Sequence, residues 1–394
     1  MTQPKPNMSS RELLERLVSF DTTSALSNLA LIHFIQDYLA QYGVESQCIS
    51  DETGGKANLY ATIGPQDKGG VMLSGHTDVV PVKGQTWSSD PFTLTERDDR
   101  LYARGSCDMK GFIASALAIV PQLTSQTLHT PVNFAFSYDE EVGCLGVRRM
   151  IDVMEGLPVR PAMAIIGEPT SMKVMIGHKG KRSVRVTVTG QSGHSAYPTE
   201  AVNAIEYAAE LVAEIRRIHA EFKVNGPFDD DYRVPHSTLH VGVFNGGTAL
   251  NIVPNQCVFD FEIRHLPQDD PEALLQRIQG YAEQQLLPQM KAVSEKVGFE
   301  FTTLSGYPGL YTSPDEVVVA FARGLLSEDT GVSKISFGTE GGLFSERLGI
   351  PAVVCGPGSI QQAHKADEYV SLEQLAACDA MMGRLVERLV SSGD

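Results

Sequence analysis

The chain has 394 residues, past the size at which a single hydrophobic core usually stops growing, so two domains are expected. Lys and Arg number 32 against 48 Asp and Glu, and the resulting charge of −16 argues against a surface for nucleic acid or an anionic membrane. No stretch is apolar over the roughly 18 residues that a membrane span needs, Met1 to Pro6 shows no secretory leader, and the six cysteines form no Cys-x-x-Cys pair, so the expectation is a cytoplasmic protein with reduced thiols.

Helical spacing runs from Ser10 to about Tyr42, with Leu13, Leu14 and Leu17 on one side and Leu29, Ile32, Phe34, Ile35 and Leu39 continuing it. From Cys48 to Pro198 short β-rich runs alternate with helical ones, the pattern of an α/β domain. Residues 109–123 are apolar on nearly all sides and begin directly after Asp108, which predicts a buried helix with its N-terminus toward a charged site. After Gly180 the pattern changes. Ser183 to Thr189 alternates strictly, as a strand with one wet face does, and Asn203 to His219 reads as an amphipathic helix. Strand-like runs follow at Ser237 to Val243 and Gln256 to Arg264, then a helix from Pro271 to Leu286. This is a βαββαβ-like α+β module at about 181–290, set between 1–180 and 291–394 of a discontinuous α/β domain.

Side chains that bind metals follow the apolar runs of that domain. Val71 to Gly75 delivers His76 and Asp78, Arg104 to Cys107 delivers Asp108, and Val132 to Tyr138 delivers Asp139, Glu140 and Glu141. Ala164 to Gly167 delivers Glu168, and Ala352 to Gly356 leads by a short loop to His364. Two imidazoles and three carboxylates, with one carboxylate to spare, are what two divalent metals and a general base require. Metals about 3.5–4 Å apart need a short ligand between them, and Asp suits that bridge. In an open parallel α/β sheet the carboxyl ends of the strands meet in one crevice, where ligands far apart in sequence converge. The pattern is that of a parallel-sheet, two-metal hydrolase.

Ser74-Gly75-His76-Thr77-Asp78, Gly105-Ser106-Cys107-Asp108-Met109-Lys110-Gly111, Asp139-Glu140-Glu141, Gly167-Glu168-Pro169-Thr170 and Ser192-Gly193-His194-Ser195 together resemble the M20 family of zinc-dependent peptidases and amidohydrolases. Within it, Asp90 to Thr95, Ile165 to Ser171, His178-Lys179-Gly180 and Gly356 to Ile360 with Ala363-His364 are most similar to the branch that deacylates N2-acetylornithine. The resemblance implies two divalent metals, zinc first, with cobalt and manganese also tolerated by such ligands. It makes Asp108 the bridge, puts His76 and Glu168 on one metal and Glu141 and His364 on the other, and makes Glu140 the general base. Asp78 would accept the second ring N–H of His76. The peptide between Asp108 and Met109 would be cis.

The same resemblance makes the inserted module a lid and dimerisation domain, with His194 polarising the scissile carbonyl in the partner subunit of a homodimer. Arg264 and Asn251 would contact substrate, the Arg fork gripping an α-carboxylate, although Arg264 suits a cross-strand ion pair as well. Thr339 would line the pocket; the residue after it, Glu340, departs from the family pattern and would add an anionic wall for a cationic side chain. His178 reads as structural. The implied activity is hydrolysis of the amide of a small N-acyl amino acid, N2-acetylornithine to ornithine and acetate in arginine synthesis. Rivals within the family are succinyl-diaminopimelate, acetylcitrulline or a dipeptide. A non-catalytic homologue would have lost the base or a ligand, and here all are present.

Overall fold

The computed structural model describes residues 7–328 and 331–390, so Met1 to Pro6, where a leader would begin, lie outside the described residues. The chain divides into two compact units, Met1–Gly177 with Leu310–Lys334 and Thr339–Asp394, and His178–Gly309 with Ile335–Gly338.

A nine-stranded mixed sheet organises the first unit. Its centre is four parallel strands, in the order Val132–Ser137, Val71–His76, Met163–Ile166 and Ala352–Val354. Ala57–Ile63 and Ser46–Ser50 extend it antiparallel on one side, and Val174–His178 pairs antiparallel beyond Ala352–Val354. Every residue of Val71–His76 and of Val132–Ser137 is buried, which is why these strands read as continuous apolar runs rather than alternating ones. The core draws on the helices Ser10–Val18, Leu29–Gln41, Lys110–Ala118 and Leu372–Val390.

Two of the expected helices are interrupted, each for a local reason. The spacing from Ser10 to Tyr42 breaks between Val18 and Leu29, where short polar side chains turn to other backbone groups. Thr22 Oγ1 donates to the Thr77 carbonyl at 2.5 Å, Ser24 Oγ donates to Asp78 Oδ2 at 2.7 Å, and Thr23 pairs with Val79. The loop is thereby sewn to the end of the Val71–His76 strand. The helix expected over 109–123 instead runs Lys110–Ala118, with a separate turn Val120–Ser125. Pro121 has no N–H to give the Leu117 carbonyl, so the first helix stops ahead of it. The first eight residues of Lys110–Ala118 are buried, and the Asp108–Met109 peptide before it is cis.

The second unit carries a four-stranded antiparallel sheet in the order Thr238–Gly246, Gln256–His265, Gly180–Thr189, Gly298–Tyr307. With helices Ala204–Asn225 and Pro271–Tyr281 between strands, the chain order is β-α-β-β-α-β. Val184, Val186 and Val188 alternate inward beside Phe259, Phe261 and Ile263, and the helices bury Leu211, Ile215 and Ile278 against them. This unit continues to Gly309, beyond the return expected near residue 290, because Gly298–Tyr307 pairs with Gly180–Thr189 along its length. All six cysteines are free, and no described helix is long and apolar enough to cross a membrane.

His178 and His265 are buried in this unit, and each ring nitrogen Nδ1 donates to the next residue's carbonyl at 3.0 Å. Among the described residues neither Nε2 atom has a hydrogen-bond partner, so neither ring can be protonated there cheaply. Burial depresses His178 to about 4 and lowers His265 as well. Their folded pKa values lie below the unfolded one, so the stability they support is complete above about pH 6.5 and declines as pH falls toward 4, by roughly 3 kcal/mol for His178. Urea melts of His178→Asn, whose amide can still donate to the Lys179 carbonyl, are expected to show a flatter pH dependence than wild type across that window. Parallel pH profiles would contradict the assignment.

Candidate active site

The carboxyl ends of the four central strands all face one place. His76 ends Val71–His76, Glu140 and Glu141 follow Val132–Ser137, Glu168 follows Met163–Ile166, and His364 lies on the loop after Ala352–Val354. Asp108 arrives just ahead of the helix Lys110–Ala118. A Cβ at Gly167 would stand 2.0 Å from the Phe112 ring, so only glycine lets this strand press onto the buried helix and bring Glu168 in.

Two trios result. His76 Nε2 lies 3.0 Å from Asp108 Oδ1 and 3.8 Å from Glu168 Oε1. His364 Nε2 lies 3.2 Å from Asp108 Oδ2 and 3.1 Å from Glu141 Oε2. In each trio one donor atom per residue falls within 4.8 Å of the others, and Asp108 gives one oxygen to each. Glu140 belongs to neither. Its Oε1 accepts the Cys144 thiol at 3.3 Å.

The electrostatics call for cations. Burial lifts the Glu140 and Glu168 carboxyls well above the usual carboxylate range, and burial together with the charge of Asp108 lifts Glu141. Burial alone would depress His76, but its hydrogen bond to Asp108 and the charge of Glu168 carry it well above its ordinary value. Hydrogen bonds to Asp108 and Glu141 push His364 up to about 10. Burial works against ionisation of Asp108 too, but hydrogen bonds from His364 and His76 hold it below its ordinary range. Glu141 Oε1 is buried without a hydrogen-bond partner among the described residues. Imidazole nitrogens, crowded carboxylates and an unsatisfied buried oxygen make a donor set that suits two divalent ions.

Asp78 does not do what the sequence suggested. The ring N–H at His76 Nδ1 goes to the backbone carbonyl of Asp78 at 2.9 Å, while the carboxylate stands 3.7 Å away. The carboxylate instead accepts the backbone amides of Glu140 at 3.0 Å and Glu141 at 3.3 Å, together with Ser24 Oγ. Asp78 thus still fixes the His76 tautomer, but through its main chain, and its side chain aims the Glu140-Glu141 pair. Asp139 turns away, with φ 56°, to pair with Lys56 at 2.6 Å.

Glu340 is also differently placed. It is 1% exposed, accepts Ser137 Oγ at 2.5 Å and Ser74 Oγ at 3.4 Å, and burial raises it to about 7, so it is no anionic wall of an open pocket. Thr339 is buried, with Oγ1 accepting the Gly341 amide. His194, Asn251 and Arg264 lie in the second unit. Arg264 is held by Glu262 at 3.1 Å and by the Tyr307 hydroxyl at 3.4 Å. Sequence reasoning missed Ser24, Gln85, Arg104, Lys110 and Glu368. Lys110 is fully buried with Nζ on the Phe20 carbonyl at 3.0 Å, and burial brings it down to about 7. Arg104 and Lys110, cations inside an apolar stretch, were signals that could have been read. Nothing local marks Glu368.

Residues 72–388 match the model of peptidase family M20/M25/M40, and the chain belongs to that family. It is a hydrolase acting on amide bonds. Among curated relatives, it is 37% identical over 383 residues to an acetylornithine deacetylase from Myxococcus xanthus, covering 95% of this chain and 96% of the relative. It is 34% identical over 386 residues to one from Proteus mirabilis, covering 95% of each. Among solved structures, an M20 family metallo-carboxypeptidase from Sulfolobus solfataricus superposes with a TM-score of 0.76 at 17% identity, covering 97% of this chain and 99% of that one. A tripeptidase from Staphylococcus aureus gives 0.73 at 18% identity, covering 98% and 99%. These two share the fold.

Asp108→Ala removes the group common to both trios. Purified wild type is expected to take up two equivalents of Zn²⁺ and the variant at most one, measured by metal analysis after dialysis. A variant that retains both would refute the sharing of Asp108.

Proposed function

We propose that the chain removes the acyl group of an N-acyl amino acid, N2-acetylornithine before others, releasing acetate and ornithine as a step of arginine synthesis. The observation that carries the chemistry is Asp108 between two complete trios, with Glu140 beside them and outside both. The choice of substrate rests on likeness to acetylornithine deacetylases along nearly the whole chain, since a buried Glu340 no longer argues for a cationic side chain.

In this reading His76 and Glu168 would hold one ion and Glu141 and His364 the other, with Asp108 shared between them, zinc the first choice and cobalt or manganese acceptable. Bound there, two divalent ions would supply Lewis acidity toward an acyl carbonyl and a water. Glu140 then moves the proton: it takes one from the attacking water as the oxygen bonds to the acyl carbon, and gives it to the amine nitrogen as the C–N bond breaks. Asp78 keeps Glu140 at its station by gripping the amides of residues 140 and 141.

The second unit serves as the lid and dimerisation module of a homodimer, and His194 acts in the partner's site. His194 is exposed on the short Gly193–His194 strand, paired with Ile252–Val253 beside Asn251. Its Nδ1 accepts the Ala196 amide at 3.0 Å, which leaves the proton on Nε2, available to donate to a developing oxyanion. The edge strand Thr238–Gly246 leaves Val243 and Phe244 exposed, and Leu250 next to it is wholly exposed, an apolar margin suited to a second copy. Asn251 and Thr339 remain candidates for substrate contact, and Arg264 would have to exchange Glu262 for an α-carboxylate. A cytoplasmic setting suits six free cysteines.

A panel of N2-acetylornithine, acetylcitrulline, succinyl-diaminopimelate and a dipeptide, with released amine as the readout on zinc-reconstituted enzyme, is expected to favour acetylornithine. Preference for another substrate reassigns the specificity. Glu140→Gln should keep both ions and lose about 10²–10⁴-fold in kcat, the usual weight of a general base. Turnover within tenfold of wild type would remove Glu140 from that role.

Mixing Glu140→Ala and His194→Ala chains tests the shared site. One heterodimer site then combines an intact Glu140 with an intact His194 from the other chain, and activity is expected to return. If His194 serves its own chain, every heterodimer site carries one lesion, and a mixture shown by mass spectrometry to contain heterodimers stays inactive.

A further inference from the structure

We infer that Arg104, Glu368 and Gln85 form a clasp, buried at its Arg104–Glu368 pair, that positions the Asp108–Glu141–His364 trio, an inference that rests on the metal-holding reading above. Glu368 and Arg104 are each 1% exposed and pair at 2.6 Å through Glu368 Oε2 and Arg104 Nη1. The other carboxylate oxygen, Oε1, accepts the backbone amides of Cys107 and Asp108, both at 3.0 Å. The main chain of Asp108 is therefore hung on Glu368. On its far side, Arg104 Nη1 also reaches the Lys365 carbonyl at 3.3 Å, and Nη2 donates to Gln85 Oε1 at 2.5 Å. Gln85 Nε2 then donates to the carbonyl of His364 at 3.1 Å. An unbroken chain of hydrogen bonds runs from the amide of Asp108 to the carbonyl of His364.

His364 needs such a tether more than the other trio members do. Its side chain is 52% exposed, so packing does not fix it, and its backbone sits at φ 63°, a region that residues with side chains seldom adopt. The loops on either side are stitched together as well. Ser88 donates its amide at 2.9 Å and its hydroxyl at 2.6 Å to Asp367, and the Trp87 ring lies 5.0 Å from the Arg104 guanidinium carbon. The His76–Asp108–Glu168 trio receives help from the clasp only through Asp108. The clasp thus has a graded reach: Glu368 supports both trios, whereas Gln85 supports only the one containing His364.

The test is stepwise titration of metal-free enzyme with Zn²⁺ against a competing chelator, and with Co²⁺ followed by its visible absorption. Wild type is expected to bind two ions. Gln85→Ala, altered at a half-buried position, is expected to weaken one ion by about tenfold or more and leave the other unchanged. Glu368→Ala should weaken both by about 10–100-fold, and Glu368→Gln, which keeps an oxygen for the two amides, should recover part of that loss. A purely structural pair would lower the melting temperature without selecting between ions. Should Glu368→Ala fail to fold, Gln85→Ala and Glu368→Gln carry the decision. Wild-type protein that takes up two ions, with these variants matching it in both affinities, overturns the clasp alone. Wild-type protein that takes up fewer than two overturns the metal-holding reading and the clasp with it.

Discussion

One buried carboxylate, Asp108, answers to two imidazoles at once, and the arrangement around it follows from that constraint. A carboxylate in low dielectric is tolerable only where opposite charge or hydrogen-bond donors surround it. Its neighbours Glu140, Glu141 and Glu168 share the space and are driven toward their neutral forms by burial. The imidazoles are driven toward their charged forms by the same carboxylates. Left to protons alone, the cluster is a compromise. Divalent cations would relieve both tendencies together.

The acids around the site divide according to what already satisfies them. Asp78 and Glu368 are spent on backbone amides: Asp78 on those of Glu140 and Glu141, Glu368 on those of Cys107 and Asp108. Glu340 is spent on two serine hydroxyls. Among the described residues, the carboxylates of Asp108, Glu141 and Glu168 have imidazoles for partners, and Glu141 Oε1 has no hydrogen-bond partner. Acids of the first kind build the frame, and those of the second kind have oxygen to offer a ligand. Residue type cannot separate the kinds, because both are Asp and Glu in the segments that connect helices and strands. Their partners separate them.

That division also explains what could be read from the sequence. The apolar runs ending in His76, Glu140-Glu141 and Glu168 were legible because strands buried on both faces leave long hydrophobic signals and a polar residue stands out at their ends. The second unit was legible from alternation at Ser183 to Thr189 and from its helical spacing. The fates of Glu340 and Asp78 were not. Glu340 is buried by serines 266 and 203 residues away along the chain. Asp78 presents its carbonyl to His76 because the strand ends two residues earlier and the chain turns, a detail that pattern does not carry. The fourth strand of the second unit, Gly298–Tyr307, was missed as a boundary because its burial does not alternate cleanly and its register shifts between Thr303 and Ser305. Within the helical stretch of residues 10–41, the interruption at Asp21 to Ser24 depended on partners beyond residue 76.

The slot filled by Ala352–Val354 has a consequence for how the molecule is made. This strand lies between Met163–Ile166 and Val174–His178, synthesised about 190 and about 180 residues earlier, and its pairing completes the centre of the sheet rather than an edge. Apart from residues 335–338, the second unit is a continuous stretch that is complete once Gly309 has left the ribosome. Once Gly309 has emerged and before Ala352–Val354 has, the chain has all four strands of the second unit's sheet, while its first sheet still has a gap flanked by two unpaired, apolar edges. Such edges are templates for pairing with other chains until the missing strand arrives. The gap stays open from the emergence of Val174–His178 until Ala352–Val354 follows, and a pause anywhere in that span lengthens the exposure to misassembly.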